Sequence, residues 1–350
     1  MRSTIKARGA LLAGAVLAAA ALTATVTASA DSARPTANAR PAESIRPAES
    51  LSAADSARAA DGAPSARKTP LVEAVSKLTR STQWTEARRL KLDFPTYHPQ
   101  GFARVGDRLF LSSVEVIEAP VKYPQPVDGY DRSPGKGRGH LFVLDLQGKL
   151  LKDIVLGEGN DYHPGGIDTD GRSLWVPVAE YRPYSHSLVY RIDLKSLAVH
   201  EEFEVDDHVG GIVPDPATGE LHGVTWGSRE FYTWNGRGRQ LAHSANSSHF
   251  VDYQDCAYAQ RGRMLCTGIT NYKAANGSGF ELGGIALLGL RSGAVQHEVP
   301  VQLWSSAGHV ATRNPVHLEA ESGTLRMWAA PDDGEEASGT EILVYEAKVD

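Results

Sequence analysis

The sequence predicts an all-β fold, a five-bladed β-propeller, and three observations carry that expectation. No helical stretch of any length follows residue 80; the chain becomes short runs of Val, Leu, Tyr and Trp parted by Gly, Pro, Asn and Asp. Those runs recur as five units with a shared internal spacing. One further strand-like run, about Thr85–Phe94, stands ahead of the first unit, while the fifth unit ends one strand short at Asp350. Pairing that run with Glu341–Ala347 would close the ring between the chain ends and leave no exposed sheet edge. A β-sandwich would impose no such fixed spacing.

The first strands set the repeat. His98-Pro-Gln-Gly-Phe102 precedes Leu109 by eleven residues, and His163-Pro-Gly-Gly-Ile167 precedes Leu174 by the same eleven. His208-Val-Gly-Gly-Ile212 reaches Leu221 two residues later, because an extra Pro216–Gly219 turn intervenes. Tyr253 reaches Met264 in eleven, and Asn314 reaches Leu325 in eleven. Third strands align at His140–Asp145, Leu188–Asp193, Glu230–Asn235, Gly284–Gly289 and Glu341–Glu346. Fourth strands follow near Leu150–Leu156, Ala198–Val205, Gln240–Ala245 and Ala294–Val301.

In a propeller the first strand of each blade lies nearest the central channel, so the repeat starts form an axial ring on one face: His98, His163, His208, Tyr253 and Asn314. The pairs Gly165-Gly166 and Gly210-Gly211 suit close backbone approach at the crowded axis. Second strands return to the same face at Glu115, Glu180, Arg229, Asn271 and Asp332. The longest insertion, Val116–Gly139, leaves from Glu115 and has the length of a lid or binding loop. Three neutral imidazoles can hold one divalent transition metal or move protons near neutral pH. On this reading His98, His163 and His208 are the catalytic or metal-binding groups and Glu115 or Glu180 is a base. Tyr253, Asn314, Arg229, Asn271 and Asp332 then bind substrate. The competing reading makes the imidazoles structural, turned between blades. The remaining histidines, His309 among them, share no pattern and read as structural or surface residues.

The two cysteines, Cys256 and Cys266, flank Arg261-Gly262-Arg263. A hairpin loop of odd length there places the thiols directly opposite, and an even one offsets them; a disulfide is the expectation.

Residues 1–30 read as a cleaved secretory signal: Arg2, Lys6 and Arg8, an Ala/Leu-rich run, then Ala28-Ser29-Ala30. The apolar run is short for a permanent membrane anchor. Residues 31–68 read as a disordered Ala/Pro/Ser-rich linker with RPAES occurring twice, 69–82 as a short helical or irregular lead-in, and 83–350 as the propeller. The net charge is −6, and −9 once the three basic residues of the leader are gone. With no basic patch, nucleic acid and anionic membrane are poor partners. A secreted protein with a small-molecule or glycan ligand and no stable membrane anchor is expected.

The leader, the Ala/Pro linker and the His-Pro-x-Gly starts resemble an uncharacterised family of secreted bacterial β-propeller proteins, over about residues 83–350. That resemblance implies fold and location and carries no established activity. Five-bladed propeller glycosidases place three carboxylates at the axis, where this ring has His, His, His, Tyr and Asn. Asn314, Glu115 and Glu180 echo the calcium cage of propeller lactonases, but imidazoles do not suit calcium. No nucleophile elbow, phosphate loop or EF-hand loop occurs. The reading is therefore a ligand-binding propeller, as a metal-assisted hydrolase or lyase or as a non-catalytic glycan- or protein-binding module.

Overall fold

The computed structural model describes residues 70–349. The leader and linker readings fall outside these residues. Five antiparallel sheets, each four strands deep, follow one another along the chain as the blades of a β-propeller. The first blade is built from His98–Val105, Arg108–Glu118, Lys136–Asp145 and Leu150–Leu156. The second has a divided inner strand, Asp161–Pro164 and Asp168–Thr169, then Ser173–Glu180, Ser187–Asp193 and Val199–Val205. The third comprises Val209–Pro214, Leu221–Thr225, Glu230–Trp234 and Gln240–Ala245, and the fourth Asp252–Tyr258, Arg263–Lys273, Gly279–Gly289 and Val295–Val301. The fifth takes Val316–Glu321, Thr324–Ala329 and Glu341–Lys348 from the end of the chain and Thr85–Lys91 from its beginning. Lys91 lies opposite Glu341 and Thr85 opposite Glu346.

Alternation along the strands buries apolar side chains between neighbouring blades. Phe110, Leu141 and Val143 of the first blade meet Leu174, Val176 and Leu188 of the second in one cluster. The helix Leu71–Ser76 carries Ala74 and Val75 into a cluster with Leu287 and Met327 of the last two blades. Among the described residues no helix is long and apolar enough to cross a membrane.

At the axis, backbones touch. The Gly166 N–H donates to Gly210 O at 2.9 Å, and Ile212 N–H donates to Gly166 O at 3.2 Å. A Cβ on Gly165 would lie 2.4 Å from Gly210 O, so only glycine permits this approach. Cys256 and Cys266 sit opposite each other across a three-residue turn, Gln260–Gly262, and are bonded. Their Cα atoms are 4.1 Å apart, slightly closer than the usual lower limit of about 4.4 Å. An intramolecular disulfide is consistent with an extracellular protein.

Candidate functional site on the axial face

Register places the three repeat-start histidines at one structural position. His98 pairs with Val114, His163 with Ala179, and His208 O accepts the N–H of Trp226. His163 stacks on Tyr181 with ring centroids 4.1 Å apart and lies 5.5 Å from His208, whose ring meets Trp226 edge-on at 4.8 Å. Burial, together with the His208 and His98 imidazoles, pushes His163 well below its ordinary pKa. Burial likewise lowers His208 to about 4, against the hydrogen bond between its Nδ1 and Glu180 O at 2.8 Å. Both rings are therefore neutral near neutral pH.

His98 differs. Its side chain is 28% exposed, and its Nδ1 lies 2.7 Å from Asp333 Oδ1. Asn314 Nδ2 donates to the same oxygen at 2.9 Å, and Arg313 donates to Asp333 Oδ2 at 3.0 Å. Burial opposes the charge on Asp333, but His98 and Arg313 outweigh it and hold the carboxylate far below its usual range. The loop bearing Asp333 is tied down where Gly334 N–H donates to Tyr97 O.

The long insertion roofs this face. First-blade pairing continues to Glu118 and Lys136, so the inserted loop proper is shorter than Val116–Gly139. Its tip is a small hairpin, Lys122–Val127 with Tyr130–Arg132. Arg132 lies 5.2 Å over the Trp226 ring and pairs with Asp131, while Arg182 lies 3.5 Å over Tyr130. Tyr162 packs where a Gly137 Cβ would clash, and its hydroxyl donates to Pro134 O at 2.6 Å. On this face His163 and His208 are buried, while His98 is partly exposed.

Tyr253 does not join the ring. It is buried with Val213, Val224, Phe231 and Val251 between the third and fourth blades. The first hairpin turns through two residues, Gly106-Asp107, and the fourth through three. Equal spacing to the second strand therefore lands one residue off, and Asp252, opposite Ile269, holds the position equivalent to His98. Asp252 pairs with Arg229, which also binds Gly227 O, Ser248 O and His249 and so clamps a loop. Glu115 pairs with Arg138, and buried Glu180 pairs with Arg182. Asn271 is exposed on the fourth-blade hairpin opposite Glu281.

Asp332 is fully buried and accepts the Ser305 hydroxyl at 2.6 Å. It stands beside His309 and Glu336. Among the described residues these three are the ones whose potential metal-ligating atoms lie within 4.8 Å of one another. The expected trio His98, His163 and His208 is not such a group, since stacking and pairing hold the rings apart. His309, set aside as patternless, lies on the connection from the fourth to the fifth blade, which the repeats do not constrain.

Deeper in the channel two carboxylates escaped the sequence reading. Asp255 occupies the register of Gly101 and Gly211 and accepts the N–H groups of Phe102 at 2.8 Å and Ile167 at 3.2 Å. Asp168 accepts Tyr258 N–H at 2.6 Å. Burial pushes Asp168 up to about 7 and, with Asp168 nearby, pushes Asp255 well above the carboxylate range. At the spacing of the repeats the position of Gly101 and Gly211 falls on Cys256, so the one-residue shift of this unit hid Asp255.

The Family of unknown function (DUF6454) matches residues 62–350, and the chain belongs to it. None of the curated proteins matches the chain. Solved structures resemble it at low identity. The luciferin-regenerating enzyme is 11% identical over 75% of this chain and 95% of its own, with a TM-score of 0.41. A DUF4221 member from Bacteroides vulgatus is 10% identical over 78% and 100%, with a TM-score of 0.37. Kuenenia stuttgartiensis hydrazine synthase is 13% identical over 71% of this chain, which spans only 59% of that one, with a TM-score of 0.34.

Proposed function

We propose that this member of the DUF6454 family is an exported β-propeller that binds a small polar or glycan ligand at the open side of its axial face, where His98 transfers a proton. The observation that carries the reading is the His98–Asp333 contact at 2.7 Å. A carboxylate that is itself fixed by Asn314 and Arg313 orients the imidazole through Nδ1, which leaves Nε2 for a substrate or water. Neutral His163, stacked Tyr181 and Trp226 form an apolar, aromatic wall behind it. Arg132 in the roof, paired with Asp131, lies over the Trp226 ring at its edge. Such a site fits hydrolysis or elimination by general acid–base catalysis. The disulfide supports action outside the reducing cytoplasm.

A panel of chromogenic esters, lactones and glycosides tests this. We expect turnover that falls about 10²–10⁴-fold in His98→Gln and Asp333→Asn while the melting temperature holds. Turnover unchanged in His98→Gln would refute the assignment. The second reading, a non-catalytic module, is favoured by exposed aromatic groups on connections and hairpin ends: Trp304, Tyr184 and the stacked pair Tyr272–Phe280. Glycan-array binding lost in Trp304→Ala and kept in His98→Gln, without turnover, would establish it instead.

A further inference from the structure

We propose that His309, Asp332 and Glu336 form a binding site for one divalent transition cation of the Zn²⁺ or Mn²⁺ class. The site lies at the base of the loop that carries Asp333. Their candidate ligand atoms all lie within 4.8 Å of one another. Asp332 is fully buried; one of its oxygens takes the Ser305 hydroxyl, and Oδ2 is buried with no hydrogen-bond partner. Glu336 Oε2 is likewise buried without a partner. Two buried carboxylate oxygens without donors in one place are costly, and a cation is the counterpart that would satisfy both.

The imidazole is arranged as a ligand. His309 Nδ1 meets Glu281 Oε1 at 3.0 Å, which leaves Nε2 turned toward Glu336. Glu281 is itself fixed by the N–H of Val310 at 2.9 Å. A carboxylate that sets the tautomer and direction of a metal-bound histidine is a recurrent outer-sphere device. One imidazole nitrogen and two carboxylate oxygens suit Zn²⁺ or Mn²⁺ better than Ca²⁺ or Mg²⁺, which favour oxygen-only sets.

Charge points the same way. Four carboxylates, Glu281, Asp332, Asp333 and Glu336, share one guanidinium, Arg313, and the two imidazoles of His309 and His98. Arg313 does not occupy the proposed position. It reaches Glu336 Oε1 at 2.9 Å and Asp333 Oδ2 at 3.0 Å, and so links the cation site to the carboxylate that orients His98. A bound cation would hold the loop Pro331–Thr340, and Asp333 with it, in place. The inference stands apart from proton transfer at His98, because metal binding is read without any substrate.

The test uses untagged protein stripped with a chelator, then equilibrated separately with Zn²⁺, Mn²⁺, Ca²⁺ and Mg²⁺. We expect about one Zn²⁺ or Mn²⁺ per chain by elemental analysis, and a melting temperature that rises with that metal. Asp332→Asn and Glu336→Gln should abolish both effects. Glu281→Gln, a change at a positioning residue, should weaken metal affinity about 10–100-fold while the ligands remain. If Asp332→Asn does not fold, Glu336→Gln and Glu281→Gln decide. Folded wild-type protein that retains no metal and shows no thermal response overturns the proposal. So do variants that bind with wild-type affinity. Equal stability of Asp332→Asn and the wild type with no metal response would mean that Asp332 is simply protonated, and also overturns it.

Discussion

The buried carboxylate Asp168 should make stability depend on pH in a direction opposite to ordinary surface acids. Its pKa is about 7 in the folded chain, against 3.8 for the free side chain, because the channel excludes water. Between those values the folded chain keeps a proton that the unfolded chain releases. The contribution is therefore fully present below about pH 4 and is lost as pH rises through about 7. Asp168→Asn mimics the protonated acid; its amide oxygen can still accept the Tyr258 N–H that Asp168 holds at 2.6 Å. The variant cannot ionise, so its stability relative to the wild type should climb by about 3 kcal/mol between about pH 5 and about pH 8. Relief of the neighbouring Asp255 acts in the same direction. Urea denaturation followed by tryptophan fluorescence at both pH values measures the difference. A gap constant to within about 1 kcal/mol would mean that water or a cation reaches Asp168, and the argument from burial would fail. Acid should destabilise through other groups: His208 and His222 are both held near 4 by burial, so their contribution is present above about pH 6.5 and lost as pH falls toward 4. The two trends oppose each other between about pH 4 and about pH 6.5, so the wild type should change less across that range than either set of groups alone would dictate.

Two further substitutions probe the frame. Gly165→Ala drives a methyl group to 2.4 Å from Gly210 O and should cost about 1–3 kcal/mol or more, read as a lower denaturation midpoint; a neutral effect would show that the second and third blades can part at the axis. Replacing Cys256 and Cys266 together with Ala should cost about 2–3 kcal/mol for so short a closed loop, and reductant should bring the wild type to a similar level; no loss in either would show the bond to be dispensable.

How far the sequence could be read depended on what repeats. Strand order, the third and fourth strands and the count of blades follow from alternation and turn residues, which every unit shares. The histidine ring was legible because His98, His163 and His208 fall at one register as well as at one spacing. Tyr253 shows where spacing and register part. Counting across a hairpin includes the turn, whereas the face a side chain takes is set by pairing, so the third turn residue in Gln260–Gly262 turned Tyr253 into the core and put Asp252 on the ring. Asp333 and His309 were out of reach for another reason. Each lies on a connection, and no period relates a connection in one blade to that in the next. Yet those connections supply the groups that differ in chemistry from blade to blade: Asp333 gives His98 a partner that His163 and His208 lack. The repeat builds three similar positions, and the non-repeating loop gives one of them a carboxylate partner, which is why the proposed proton transfer is assigned to His98, where the symmetry is broken.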